Sequence, residues 1–285
     1  KMLYNYLHDP SAIAGSLILV IAVSAAVLAP WITPQNPYNL AEVSLEYFLT
    51  PPIWMKDGQA PFILGTDDQG RCIFSTIIYG CRTSLIVGFS VVLITGTFGV
   101  MMGLLTGYYG GKLDALIMRM ADTIYAFSTT LLALMFLGIF GKGSVLLVIL
   151  AICIAGWVRY ARTMRGSVLE IKQEAYIMAA KATGAGDLRL LVRHLLPNAI
   201  PPIFVIVAVD LAVVIMIEAT LSFLGVGVPL TEPSLGMMVA IGKNYVYAGM
   251  WWMIVFPGAA LIFLVVGINL IADWLREELN PKIER

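Results

Sequence analysis

The sequence predicts an all-α membrane protein with six transmembrane helices. Two observations carry this reading. Of 285 residues, 59% are hydrophobic and only 13% are charged, where a soluble domain carries roughly 25% charged residues. A chain this apolar has no way to hide its side chains in one soluble core, and lipid is its natural solvent. Second, the apolar residues fall into runs over 12–32, 83–111, 123–141, 143–158, 199–224 and 245–272. Each run, with its flanks, is long enough to cross a bilayer core. In lipid every backbone N–H and C=O must be paired within the span, so each is expected to be helical.

The first run covers about 21 residues, longer than the roughly 7–15 of a cleavable signal, and is expected to be a retained helix. Residues 34–82 follow as an extracytoplasmic lid. Pro34, Pro37, Pro51, Pro52 and Pro61 make this loop irregular, with short helices, rather than an independent domain. Asp67 or Asp68 is placed to cap a short amphipathic helix reaching about Tyr79. Arg119 and Asp122 precede the third run, three residues apart, and are expected to pair locally. Trp251 and Trp252 open the sixth run and Trp274 ends it, where interface anchoring is the default role. The expected organisation is an N-terminal segment and first span (1–33), the lid (34–82), a five-helix core (83–272) enclosing a polar loop at 159–197, and a tail (273–285).

Charge sets the orientation. The formal net charge is zero, which removes the basic field expected of a nucleic-acid partner. Thirteen of the eighteen Lys and Arg fall on the side holding both termini and the 159–197 loop. That side is therefore expected to be cytoplasmic. Cys72, Cys81 and Cys153 form no CxxC or Cys/His cluster, and His8 and His194 have no ligand at metal spacing, so no metal site is expected. If helical, the stretch between Cys72 and Cys81 holds them about 13 Å apart, too far for a disulfide. The chain has no HExxH or GxSxG. Gly141-Lys142-Gly-Ser144 is not a phosphate loop, because Phe136 stands where the first glycine belongs and no Ser or Thr follows the lysine directly. No catalytic residue, bound cofactor or metal is expected in this chain.

The 159–197 loop is the most informative stretch. Gln173 to Gly184 reads as a short helix whose Ala175, Ala179, Ala180 and Ala182 leave a smooth surface. Gly184 and Gly186 end it, and Asp187 is placed to cap a second helix. There Leu188, Leu191, Val192, Leu195 and Leu196 share one face, with Arg189 and Arg193 on the other. Pro197 breaks it before the fifth run. From spacing alone this helix-turn-helix is either a connector lying on anionic headgroups or a surface that another protein docks on.

The segment resembles the EAA loop of the membrane subunits of ABC importers. Ala179, Ala180, Gly184, Leu196 and Pro197 match that pattern, while Met178 and His194 replace its glutamate and isoleucine. These replacements are similar to the peptide/nickel subclass, with Ala-Ala-x-Ala-x-Gly-Ala followed by Arg-His-Leu-Leu-Pro-Asn. The likeness runs through Leu64-Gly-Thr-Asp-Asp-Gln-Gly-Arg71, Tyr79-Gly-Cys-Arg-Thr-Ser-Leu85, Gly107-Tyr-Tyr-Gly-Gly111, Leu221-Ser-Phe-Leu-Gly-Val-Gly227, Phe256-Pro-Gly258 and Asn280-Pro-Lys282. Cys72 and Ser128 depart from it, standing where aspartate and proline are usual. The chain is thus identified with the second membrane subunit of the dipeptide/oligopeptide/nickel importers.

The resemblance implies a type I ABC importer permease fold in a bacterial inner membrane. It implies a coupling loop made of Glu174, Ala175, Ala179, Ala180, Gly184, Ala185, Asp187, Leu196 and Pro197. The implied partners are a homologous permease subunit, two cytoplasmic ATP-binding subunits that hold ATP and Mg, a separate substrate-binding protein, and membrane lipid. Cargo is expected to be di- or oligopeptide, with nickel complexes, glutathione or opines as alternatives. Asp210 and Glu218 lie in the fifth run, where ionisable groups are costly and often functional, so they are expected either in the translocation pathway or as buried structural pairs. An ion-coupled secondary transporter would use the same two carboxylates as its coupling site, but the chain has no evident inverted repeat.

Overall fold

The computed structural model describes residues 6–39, 43, 45–141, 144–229 and 232–279. Among these, five helices are long and apolar enough to cross a membrane: α1 (Pro10–Ile32), α2 (Ile73–Tyr109), α5 (Val145–Ile171), α8 (Pro201–Phe223) and α10 (Trp252–Glu278). Two helices stand where the third span was expected. These are the amphipathic α3 (Gly111–Tyr125) and the apolar α4 (Thr129–Phe140), bent by 85° at the break. Ser128 is extended there, with φ −64° and ψ 131°. At 12 residues, α4 is roughly 18 Å long, so the sixth span exists only if the bent pair serves as one. Two short helices, α6 (Ala175–Ala182) and α7 (Asp187–Arg189, continued to Ala199), join α5 to α8, and α9 (Leu235–Tyr245) precedes α10.

Local chemistry fixes the helix starts. Asp9 caps α1 by accepting from the N–H groups of Ser11 (2.9 Å) and Ala12 (3.3 Å), with Pro10 in the first turn. Ser144 caps α5 through the Leu147 N–H at 3.3 Å, and Ser234 caps α9 through the Met237 N–H at 3.2 Å.

The lid ends earlier than expected. No separate helix starts at Asp67 or Asp68. Instead Asp67 accepts from the N–H groups of Gln69 and Arg71 (both 2.9 Å) and from Arg71 Nε at 2.6 Å, all in a buried turn. That carboxylate is spent on its own turn, and Cys72 stands at the N-cap of a helix that runs unbroken to Tyr109. The residue 83 boundary of the core therefore moves back to residue 73. Among its described residues the lid holds one short 3₁₀ turn, Leu45–Tyr47.

α2 and α5 form the most extensive helix pair. Small residues permit it. A Cβ on Gly99 would lie 2.5 Å from the Trp157 carbonyl oxygen and 2.6 Å from Tyr160 Cβ, and one on Gly107 would lie 2.8 Å from Val168 Cβ. Gly103, between them, faces the Ala161 carbonyl in the same way. Helices whose backbones approach this closely gain dispersion contacts that lipid does not supply. The central core then forms where Val91 of α2, Ile152 of α5, Ile215 of α8 and Leu264 of α10 meet. α1 packs against α10, with Gly15 facing Leu270 and Gly267 facing Ile18, and reaches this core through Ala26.

Trp252 does not anchor at an interface. It is 4% exposed and packs with Ile73, Met238 and Met253. Trp251 stays on the surface, and Trp274 meets the Tyr6 ring edge-on at 5.1 Å.

Candidate functional site

The polar loop starts later than the sequence suggested, because α5 stays helical to Ile171 and carries Arg159, Arg162 and Arg165 within it. α6 then ends in a Schellman motif. Gly184 has φ +83°, its N–H bonds to the Lys181 carbonyl (3.1 Å), and the Ala185 N–H bonds to the Ala180 carbonyl (3.1 Å). Gly186 has φ −67° and takes no part in that left-handed turn; it is the N-cap of α7. Asp187 is not a capping residue. Its carboxylate accepts the Tyr108 hydroxyl from the end of α2 at 2.6 Å. Lys172 donates to the Tyr108 carbonyl from below the loop.

α7 departs from the expected register. It opens as α-helix over Asp187–Arg189, passes through a π-helix over Leu190–Leu195, and resumes as α-helix over Leu196–Ala199. The wider i→i+5 turn rotates Leu190, Leu191 and Leu195 inward. Leu188 and Val192, expected beside them, are left 75% and 54% exposed. Pro197 sits in the first turn of the last segment instead of breaking the helix, and α8 is opened by Pro201.

The loop is braced from within and exposes apolar side chains among charged ones. Ile177, Leu190 and Leu195 pack on Tyr160, Met164 and Val168 of α5 and on Tyr108 of α2. Ala180, Ala185 and Leu196 border that cluster. Glu174, at the N-cap position of α6, is exposed and makes no side-chain cap bond. Ala175, Tyr176, Met178 and Ala179 face outward with Leu188 and Val192.

Three α5 arginines reach carboxylates on two other helices. Arg165 grips Asp114 of α3 with two bonds of 2.6 Å. Arg162 bonds to Asp122 of α3 at 2.6 Å and stacks over Tyr125, 4.4 Å from its ring centre. Arg119 is thus not the partner of Asp122: a neighbouring helix brings up a guanidinium better placed than the side chain one turn away. Arg159 bonds to Asp210 of α8 at 2.6 Å. The sequence reading missed these pairings, and the spacing of three along α5 was the available signal.

Asp210 and Glu218 are both buried, at 5% and 0% exposure. Glu218 accepts from Ser84 of α2 and Ser222 of α8, both at 2.8 Å, with Ser234 of the α9 cap completing the hydroxyl shell. Both carboxylates point away from the open face of α8. That face carries a groove of about 240 Å³ against α10, lined by Ala212, Val213, Met216, Thr220, Val265 and Asn269. A second groove of about 200 Å³ shares Met216 and Thr220 and extends to Phe223 and Val239.

A multi-pass helical membrane protein with a braced, outward-facing loop is the class this architecture defines. The chain belongs to the family described as binding-protein-dependent transport system inner membrane component, which matches residues 99–285. The N-terminal TM domain of oligopeptide transport permease C matches residues 2–52. Similar relatives include the di/tripeptide transport system permease protein DppC of Pseudomonas aeruginosa, 37% identical over 98% of this chain and 91% of that one. The dipeptide permease DppC of Haemophilus influenzae is 35% identical over 99% and 94%. The probable D,D-dipeptide permease DdpC of Escherichia coli is 34% identical over 99% and 91%. A solved structure of the MetNI methionine ABC transporter in an inward-facing conformation superposes with a TM-score of 0.58 at 19% identity, over 72% of this chain and 96% of that one. This likeness establishes the type I importer permease fold. The chain is a multi-pass inner-membrane subunit of an ABC importer.

Proposed function

We propose that this chain forms half of a translocation pathway for di- or tripeptides, with α6 and α7 as the docking surface for a cytoplasmic ATP-binding subunit. The peptide assignment rests on the names of relatives that align over nearly the whole chain. In this reading a second permease subunit of the same family supplies the other half. Two ATP-binding subunits hold ATP and Mg, and a separate binding protein delivers cargo to the lid side. Both termini and the loop lie in the cytoplasm, as the Lys and Arg distribution favours.

One observation carries the docking role. Ala175, Met178, Ala179, Leu188 and Val192 expose apolar or small side chains on a loop fixed from beneath by Ile177, Leu190 and Leu195. An exposed apolar patch on a rigid base is what a partner interface requires. The braces also give motion a route. Lys172 and Asp187 hold the end of α2, Arg165 and Arg162 hold α3, and Arg159 holds α8. A push on the loop moves α5 as a lever, and α5 carries α8, which lines both grooves.

The discriminating variant is Ala179→Glu, at an exposed helical position. A surface change of this kind moves stability by about 0.5 kcal/mol or less. We expect normal expression and thermal stability with loss of ATPase co-purification and of peptide uptake. Normal uptake at normal expression overturns the docking role. Gly184→Glu is a poorer probe, because φ +83° adds backbone strain of about 1–2 kcal/mol to any effect at the interface.

A further inference from the structure

We propose that Asn269 and Thr220 bind the main chain of a peptide in transit, as the two hydrogen-bonding positions of the groove between α8 and α10. The inference rests on the reading of the chain as a peptide permease and assigns that cargo a place to bind.

The groove walls are apolar: Ala212, Val213, Met216 and Val265. No charged side chain lines it, and its polar side chains are the amide of Asn269 and the hydroxyl of Thr220. Asn269 lies within the 27-residue apolar helix α10 and is exposed. An amide on a lipid-facing surface of a span is costly. Its presence here points to an occupant that offers hydrogen bonds. The Thr220 hydroxyl donates to the Met216 carbonyl at 2.7 Å, which orients the oxygen and leaves it able to accept. Asn269 offers two N–H donors and a carbonyl acceptor. Together they present one acceptor-only oxygen and one group of both kinds, complementary to peptide N–H and C=O groups.

The dimensions agree. From Ala212 to Thr220 the groove follows about two turns of α8, roughly 12 Å. An extended tripeptide main chain spans about 10–11 Å. The absence of charge from this lining has a consequence for selectivity. Neutral hydrogen bonds read the main chain, so peptides with acidic, basic and apolar side chains meet the same contacts. The Asp210 and Glu218 carboxylates, which would discriminate by charge, are turned away and already engaged. The competing occupant is a helix of the second permease subunit, whose backbone is internally bonded but whose side chains could bond to Asn269.

The test uses the complete complex with its binding protein, reconstituted in liposomes, and radiolabelled dialanine and trialanine. Asn269→Leu conserves approximate volume and removes the hydrogen bonds. We expect an uptake rate about three- to ten-fold lower, the worth of one or two hydrogen bonds, with all subunits still co-purifying. We also expect maleimide labelling of Val213→Cys, on the apolar wall of the groove, to slow when peptide is present during ATP turnover. Unchanged uptake by Asn269→Leu overturns the proposal. Loss of the second permease subunit from the purified complex overturns it in favour of a subunit interface. Labelling indifferent to peptide overturns it as well. If the wild-type complex fails to import either peptide, the peptide reading itself fails, and the Asn269 assignment falls with it.

Discussion

The contact between α2 and α5 makes a prediction whose sign is read from geometry. Gly99→Ala would place a methyl 2.5 Å from the Trp157 carbonyl oxygen and 2.6 Å from Tyr160 Cβ. Carbon contacts settle near 3.5–4.0 Å, so the overlap is about 1 Å on each. Neither neighbour is the far end of a flexible side chain, and both belong to the backbone framework of α5. The helices must separate, and overpacking of this kind costs about 1–3 kcal/mol. Alanine regains up to about 1 kcal/mol of helix propensity over glycine, leaving a net loss of up to about 2 kcal/mol. Gly166, also in α5, is the control: a Cβ there meets nothing within 4 Å. Gly166→Ala should therefore be neutral or gain about 0.5–1 kcal/mol. The assay is thermal unfolding of each variant in detergent, followed by intrinsic fluorescence. Gly99→Ala should lower the midpoint and Gly166→Ala should hold or raise it. Equal shifts of the same sign would refute the close-contact argument.

Two further outcomes follow from polar groups. Glu218→Ala strands the Ser84 and Ser222 hydroxyls in dry protein and opens a cavity between α2, α8 and α9, a loss of about 3 kcal/mol or more. Glu218→Gln keeps the shape and should fall between wild type and alanine in the same unfolding assay; an alanine variant as stable as wild type would show that the hydroxyl shell holds nothing together. In the lid, burial and the neighbouring Asp67 charge raise the Asp68 carboxyl above its ordinary value. A raised folded-state pKa gives stability that is complete below the ordinary carboxylate range and is lost as pH rises through the raised value. Wild-type unfolding midpoints should decline over that window and those of Asp68→Asn should decline less, so superimposable profiles would remove Asp68 from the pH response.

The parts of the fold that depend on lipid were legible. Apolar runs located α1, α2, α5, α8 and α10, because a span must be apolar over a fixed length whatever it packs against. The third run holds the apolar α4, but hydropathy does not register the bend that precedes it. The extended Ser128 sets α4 at 85° to the amphipathic α3. Helix ends were misjudged where polar residues had other uses. Asp67 and Asp187 both look like capping residues, yet one closes its own turn and the other accepts Tyr108. The Gly184 turn was readable because left-handed backbone selects glycine directly. The π turn in α7 was not, since nothing in Leu190–Leu195 distinguishes it from α-helix, and it decided which leucines face outward.

The two carboxylates of α8 show how far a spacing argument reaches. Eight residues at about 100° each leave Asp210 and Glu218 roughly 80° apart around the helix, near enough to be counted on one face. That angle is enough to give them different neighbours: Asp210 meets Arg159 of α5, and Glu218 meets Ser84 of α2. Measured the same way from Met216, Asp210 lies about 120° away and Glu218 about 160°. Ala212 and Thr220 each lie about 40° from Met216 on opposite sides, and all three line the groove. The charged positions attract notice in an apolar run because they are costly there. Their cost is offset by partners inside the chain, which turns them inward. The exposed face is left to residues that hydropathy passes over, and a single threonine and a single asparagine carry its hydrogen-bonding capacity.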